Sequence, residues 1–165
     1  PGLSEAERRE IARVVGIGAV QYADLSQNRS SNYVFSWDKM LALEGNTAPY
    51  LQNAYVRICS IFRKAGEPAD PAAKIQITDS AERSLAIKLL QYAETLPVVL
   101  EDFRPNILAN YLYELANTYH SFYEACPVLK AEPALRASRL VLSDLAARTL
   151  SHGLALLGIA CPERM

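Results

Sequence analysis

The sequence has no apolar run long enough to span a bilayer, and no cationic segment followed by an apolar one at its start. We therefore expect a cytoplasmic protein with no membrane partner. Of the 165 residues, 50% are hydrophobic and 21% are charged, which is the usual balance of a globular core. This length predicts one domain, or one domain with an appended piece.

Cysteine and histidine are scarce. The three cysteines and two histidines lie far apart in the sequence, in none of the spacings that metal sites use. An odd number of unpaired cysteines is typical of a reducing compartment. So few histidines leave no recognisable serine–histidine–carboxylate or cysteine–histidine set, and we expect no catalytic residue and no metal site. These residues are predicted to serve packing or to lie at the surface: Cys59, Cys126, Cys161, His120 and His152.

A phosphate-binding glycine loop is also absent. The segment Gly16-Ile17-Gly18 has no preceding strand, lacks a third glycine, and is flanked by helical sequence. Glycines inside a helix more often allow another element to approach closely. We expect that role here.

An excess of positive charge is missing as well. With 17 basic and 18 acidic residues the net charge is −1, whereas a domain that binds nucleic acid indiscriminately is usually basic. This balance still permits a small cationic patch. Arg57, Arg63 and Lys64 form such a local cluster in the sequence.

Every strongly periodic segment has helical spacing, which predicts an all-α fold, an antiparallel helix bundle. Ser4 and Glu7 form a capping-box pattern at the start of the first helix. Pro97 is expected to interrupt a later helix near its end, so that residues 98–103 form either a short apolar helix or a bent continuation. Pro133 is expected in the first turn of the last helix. Residues 67–78 predict a mobile loop.

Residues 33–37 predict an extended connector, because they are strand-like but too few to form a sheet. We expect Phe35 and Trp37 to anchor two helical layers to each other. Stacking of Trp37 on a nucleic-acid base is the alternative.

The central helix is predicted between a cap at Asn46 or Thr47 and a terminating Gly66. One face of this helix is apolar and is predicted to be buried. The face opposite to it combines Arg57 with polar side chains, and Tyr50 lies at its N-terminal edge. Cations and exposed rings suit the phosphates and unstacked bases of an RNA loop. A polar face is also what any surface helix shows, so periodicity alone leaves both interpretations open. The predicted buried stripe is Leu51, Tyr55, Ile58, Phe62 and Ala65; the opposite row is Asn53, Arg57, Ser60 and Lys64.

Several runs of sequence resemble arginyl-tRNA synthetases in their order and spacing, and the resemblance covers nearly the whole chain. It implies the helical anticodon-binding domain of a class I synthetase. The runs are DLS (24–26), YVFSWDKML (33–41), EGNTAPYLQ (44–52), YLYELA (111–116), FY (122–123), PVL (127–129) and LLGI (156–159), followed by the last methionine, Met165.

The resemblance implies that residues 1–37 are the tail end of the catalytic half with a connector, and that residues 38–165 are the anticodon-binding domain. The family's two ATP-site signatures, the HIGH-like and KMSK-like motifs, do not occur in this chain. We therefore expect no arginyl-adenylate formation and no cofactor here, whereas the full-length ligase uses ATP and Mg²⁺. A start at Pro1 rather than methionine also suggests a piece of a longer protein.

In the family, the central helix carries a tyrosine, a second tyrosine three residues later and an arginine four residues beyond it. The matching residues are Tyr50, Asn53 and Arg57, so that Asn53 replaces a stacking ring by an amide. The family's C-terminal methionine, which lies by the anticodon loop, matches Met165. The expected target is the middle anticodon base, a cytosine in most arginine tRNAs. Further candidates for RNA contact are Gln52 and Lys64.

The implied partners are arginine tRNA and the catalytic domain of the same chain, with a monomer expected. An alternative is a helical protein–protein interaction or regulatory module that kept the family's core and lost RNA binding. Asn53 and the near-zero net charge keep this alternative open. A positive groove along Asn53, Arg57 and Lys64 favours RNA binding, and a flat or acidic face favours the module.

Overall fold

The computed structural model describes residues 2–165, and in this range the chain forms six α-helices and no strand. The predicted all-α fold is confirmed. No helix in the described range is long and apolar enough to cross a membrane. The helices are α1 (Glu5–Leu25), α2 (Trp37–Met40), α3 (Ala48–Ala65), α4 (Ser80–Asp102), α5 (Pro105–Ala125) and α6 (Pro133–Leu156).

The helix ends follow the capping signals of the sequence. Ser4 and Glu7 form the predicted capping box of α1. Thr47 caps α3 by accepting a hydrogen bond from the backbone N–H of Tyr50, at 3.2 Å. Gly66 ends α3 with φ +72°, a left-handed conformation that glycine adopts without a steric penalty. These local interactions explain why the bounds of α3 can be predicted from sequence.

Helix α4 runs through Pro97 to Asp102, so the alternative of a separate short helix after Pro97 is wrong and the segment continues α4. Pro97 and Ala93, the residue whose carbonyl loses its helical partner, are both exposed. Water can satisfy that carbonyl, and the helix therefore continues. It ends at Phe103, where φ is +51° and the next N–H, that of Arg104, donates to the carbonyl of Val99.

Helix α5 lies at the centre of the bundle and packs against α1, α3, α4 and α6. Its approach to α6 is close at Gly153, where an added Cβ would lie 2.5 Å from a methyl carbon of Leu112. Any larger residue there would force the Leu112 side chain to move. The large buried core residues are Tyr22, Leu51, Ile58, Leu85, Leu112, Leu115, Phe122, Leu142, Leu150, Leu154 and Ile159.

Helix α1 packs into the same core. Gly18 allows the close approach expected from the sequence, because an added Cβ would lie 3.1 Å from both Gln52 Nε2 and Ile159 Cγ2. Gly16 has open space around it and needs no such explanation. The buried Tyr22 hydroxyl lies 2.8 Å from the carbonyl oxygen of Ala109 on α5.

The connector between α1 and α2 does not anchor two helical layers, so this prediction is wrong. Phe35 and Trp37 are 48% and 58% exposed. Their rings pack edge to face on each other, with centroids 4.8 Å apart. The two side chains form a local pair because neither reaches the core from this short extended segment.

A buried ion pair joins α4 to α6. The Arg139 Nε atom donates to Glu82 Oε1 at 2.7 Å, and the two side chains are 9% and 0% exposed. Arg139 also donates to the carbonyl of Pro127 at 2.9 Å, in the segment between α5 and α6. The pair therefore holds this connecting segment in place.

Candidate nucleic-acid interface

A groove runs between α3 and α5, and we call it the α3/α5 groove. Its upper part lies beside the first half of α3, where Tyr50, Asn53 and Arg57 face the groove from successive turns. Residues three and four apart share one side of a helix, so the helix itself aligns these three side chains. The residues that line the upper part are Leu43, Tyr50, Asn53, Ala54, Arg57, Ala116, Tyr119, His120 and Tyr123.

Tyr50 is held firmly against α5. Its hydroxyl donates to Asn117 Oδ1 at 2.6 Å, and its ring packs edge to face on Tyr113 with centroids 5.7 Å apart. Partial burial raises the pKa of Tyr50, Tyr113 raises it further, and Arg57 acts in the opposite direction. The phenol is therefore neutral at physiological pH, and its ring is a rigid, half-buried surface at one end of the groove.

Asn53 and Arg57 are available for a ligand. Asn53 is half-buried and Arg57 is exposed, and neither side chain has a hydrogen-bond or ion-pair partner in the part of the chain that the structure describes. The amide can donate and accept hydrogen bonds, and the guanidinium offers a planar set of donors. Together they present directional groups that a base edge or a phosphate can use.

The groove continues past Arg57 and Tyr123, which line both parts. In the lower part the floor is apolar, with Ile61, Val128 and Leu129, and the walls carry charged and hydroxyl groups. The residues that line the lower part are Arg57, Ser60, Ile61, Lys64, Tyr123, Pro127, Val128, Leu129 and Lys130.

No carboxylate lines either part of this groove among residues 2–165, although the chain has as many as 18 acidic residues. Three cations line it: Arg57, Lys64 and Lys130. The groove along Asn53, Arg57 and Lys64 is therefore positive, in a chain whose net charge is −1. Such local segregation attracts an anionic ligand despite the overall balance.

Gln52 does not belong to this surface, and its prediction as a candidate for RNA contact is corrected. The side chain is fully buried, and its Nε2 atom donates to the carbonyl of Ala160 at 2.8 Å. Helix α1 covers it from the other side through Gly18. Gln52 therefore holds the C-terminal segment against α3.

Met165 lies at the end of a segment that follows a different side of α3. Ala160 is bound to Gln52, and the carbonyl of Glu163 accepts a hydrogen bond from Arg63 Nη1 at 3.0 Å. Met165 is 43% exposed and does not line the α3/α5 groove. Of the predicted site residues, the groove brings together Tyr50, Asn53, Arg57 and Lys64.

Sequence reasoning missed the wall that α5 and its following segment contribute. His120 and Tyr123 are exposed on α5 and face Arg57 across the groove, and Lys130 faces Lys64. A signal was present, because exposed residues at 120 and 123 alternate with the buried stripe of Tyr119 and Phe122. The periodicity of one helix does not show which other helix faces it.

No three histidine, cysteine, aspartate or glutamate side chains between residues 2 and 165 lie close enough together to hold a metal ion. His120 lies 3.2 Å from Glu124, one turn further along α5. The aromatic, polar and cationic side chains that line the groove can stack, hydrogen-bond and form ion pairs.

Two family models match the chain. Residues 51–165 match the DALR anticodon binding domain, and residues 3–37 match the catalytic domain of the class I tRNA synthetases for arginine (R).

Curated relatives match along the whole chain. The arginine–tRNA ligase of Chromobacterium violaceum is 58% identical over 165 residues, which is 100% of this chain and 29% of that protein. The arginine–tRNA ligase of Synechococcus elongatus is 58% identical over 158 residues, or 94% of this chain and 27% of that protein. The chain thus spans less than a third of the length of these relatives.

Solved structures are similar as well. The arginyl-tRNA synthetase of Thermus thermophilus superposes with a TM-score of 0.88 and 37% identity, covering 100% of this chain and 29% of that one. The arginyl-tRNA synthetase of Plasmodium falciparum gives a TM-score of 0.87 and 33% identity, covering 94% of this chain and 28% of that one.

Proposed function

The chain belongs to the family of DALR anticodon binding domains, and on this premise we propose that it recognises the anticodon loop of arginine tRNA within an arginine–tRNA ligase. The observation that carries this proposal is the α3/α5 groove. Three cations, an amide and half-exposed aromatic rings converge there, and no carboxylate in the described range lines it.

We propose that the upper part of the groove binds bases of the opened loop. Each base stacked on an aromatic ring contributes roughly 1–3 kcal/mol, and Tyr50 supplies a ring that is already held in place. The expected target is the middle anticodon base, a cytosine in most arginine tRNAs. The Asn53 amide oxygen can accept from the amino group of cytosine, and Arg57 can donate to its ring acceptors or to a phosphate.

Lys64 and Met165 remain part of the proposal with different roles. Lys64 is exposed at the C-terminal end of α3, where its ammonium group is available to phosphates. Met165 would contact the loop from the end of the C-terminal segment, which Gln52 and Arg63 attach to α3.

The remainder of the enzyme is proposed by the same reasoning. Residues 1–37 would form the tail end of the catalytic half and a connector. Residues 38–165 would form the anticodon-binding domain of a monomeric cytoplasmic ligase. ATP and Mg²⁺ would bind in the catalytic part of the full-length enzyme, not in this chain. The segment of residues 3–37 exposes several large apolar side chains, and we propose that the catalytic domain covers them: Ile17, Val20, Tyr33, Val34, Phe35 and Trp37.

The positive groove favours this proposal over an interaction module that has lost RNA binding. Such a module would have no need for a groove without carboxylates in a chain of nearly balanced charge.

A gel-shift comparison tests the proposed function. Arginine tRNA and a version with its middle anticodon base changed are titrated with this chain at low salt. We expect the altered tRNA to bind at least about fivefold more weakly, since a mismatched contact typically costs about 1–3 kcal/mol. Arg57→Ala should weaken binding of the normal tRNA, and Arg148→Ala, which removes an exposed guanidinium on α6, should not. Equal binding of the two tRNAs would refute anticodon recognition.

A further inference from the structure

The lower part of the α3/α5 groove differs from the upper part in what it can recognise. Its only polar side chain besides the cations and the shared Tyr123 is Ser60. It offers no amide or carboxylate that could distinguish one base edge from another. Apart from Arg57, which the two parts share, the lower part attracts a ligand by charge and by apolar contact.

Its two lysines come from the two sides of the groove. Lys64 lies in the last turn of α3, and Lys130 lies in the segment between α5 and α6. Neither ammonium group forms an ion pair with any carboxylate in residues 2–165, in contrast to Lys88, which pairs with Glu114 at 2.6 Å. The positive charges are thus free for an external anion.

Neighbouring contacts hold the backbone in place at both lysines. Gly66 ends α3 two residues after Lys64. Lys130 follows the buried Val128, and the carbonyl of Pro127 accepts a hydrogen bond from Arg139, which is itself paired with Glu82. The fold therefore sets the positions of the two lysines in the backbone, and only their exposed side chains have to be ordered on binding.

The lower part is continuous with the upper part, because Arg57 and Tyr123 line both. A strand whose bases occupy the upper part must carry its backbone along this continuation. We propose that Lys64 and Lys130 bind phosphates of the RNA strand adjoining the anticodon loop, independently of base sequence. This inference rests on the proposed function and extends its site to a backbone-binding subsite.

The two parts then have separate thermodynamic signatures. Each phosphate contact releases condensed counterions and steepens the slope of log K against log salt concentration by about 0.7 for a single strand and about 0.9 for a duplex. Removing one lysine should make the slope shallower by that amount and weaken binding about five- to eightfold at 0.1 M salt. The loss should be the same for every anticodon, since a phosphate carries no sequence information.

The test measures binding of arginine tRNA and of the tRNA with the altered middle base, by filter binding over a range of salt concentrations. The variants are Lys64→Ala, Lys130→Ala and the double substitution, with Lys74→Ala in the 66–79 loop as the control. We expect parallel losses for both tRNAs, additive in the double variant, and an unchanged ratio between the two tRNAs. Circular dichroism confirms that each variant is folded.

Different outcomes separate the inference from the function on which it rests. If the wild-type chain distinguishes the two tRNAs but the lysine variants keep its salt slope, the backbone subsite is refuted and anticodon recognition stands. If the lysine variants change the ratio between the two tRNAs, the lysines contact bases and the inference is again wrong. If the wild-type chain binds both tRNAs equally or binds neither, the proposed function fails together with the inference.

Discussion

Two grooves run along different sides of α3, and their charges differ. The α3/α5 groove has three cations and no carboxylate among the described residues that line it. The second, which we call the α3/α6 groove, lies between α3, α6 and the C-terminal segment, and its charges balance. Its charged lining residues are Arg63, Glu67, Asp144, Arg148, Glu163 and Arg164.

Two of the three cations of the α3/α6 groove have partners among the described residues. Arg63 donates to the carbonyl of Glu163 at 3.0 Å, and Arg148 lies 3.6 Å from Asp144. Arg63 thus attaches the C-terminal segment to α3, and Arg148 forms an exposed ion pair within α6. A single helix therefore borders one groove whose cations are available to a ligand and another in which two of the three cations are bound within the protein. The local arrangement of partners, not the net charge, separates a binding surface from an ordinary one.

The largest expected effect is a loss of stability when the buried ion pair behind the α3/α5 groove is broken. Arg139→Ala removes one partner of the buried pair with Glu82 and releases the carbonyl of Pro127 behind the α3/α5 groove. Breaking a buried pair leaves an uncompensated charge and costs about 3–5 kcal/mol. We expect that loss in the free energy of unfolding, measured by urea denaturation.

The matched control for Arg139→Ala lies in the other groove. Arg148 pairs with Asp144 where the side chains are 74% and 40% exposed. An exposed pair contributes no more than about 1 kcal/mol, so Arg148→Ala should be nearly neutral. Equal losses in the two variants would contradict the assigned support role of Arg139.

A smaller effect is expected from protonating Glu82. Burial raises the pKa of this carboxyl, but hydrogen bonds from the Thr78 and Asp79 N–H groups and from Arg139 outweigh burial and lower the pKa below its ordinary value of 4.5. The native state then binds fewer protons than the unfolded state. The contribution of Glu82 to stability is thus complete above the ordinary pKa and is lost as pH falls through the lowered one.

Urea denaturation at neutral pH and in acid, below the ordinary carboxyl pKa, measures this contribution. Glu82→Gln should be less stable than the wild type at neutral pH, and the difference should narrow in acid. A constant difference across that range would show that Glu82 does not titrate as described.

The smallest expected effect is on tRNA binding, when a negative charge is added to one groove or to the other. Ser60→Glu places a carboxylate in the lower α3/α5 groove, where it would repel RNA phosphates and pair with the neighbouring cations. We expect binding of arginine tRNA to weaken about tenfold, equivalent to about 1.4 kcal/mol. Ser151→Glu places the same group in the α3/α6 groove and should leave binding unchanged. Equal weakening would indicate a general charge effect instead of a local site.

The sequence by itself determined the helical class and the ends of α3. Capping at Thr47, the left-handed Gly66 and the 3.6-residue period depend only on nearby residues, so they can be read without the fold. The same local geometry predicted that Asn53, Arg57 and Lys64 share one side of a helix.

Tertiary structure decided which sides of the helices were left open. Gln52 is polar, yet α1 and the carbonyl of Ala160 bury it, whereas Phe35 and Trp37 are aromatic and stay exposed. The second wall of the groove, with Tyr123 and Lys130, comes from residues more than 60 positions beyond Tyr50 in sequence. Periodicity gives a side chain's direction around its own helix axis. What covers or faces that direction depends on contacts between distant segments, which only packing of the whole bundle sets.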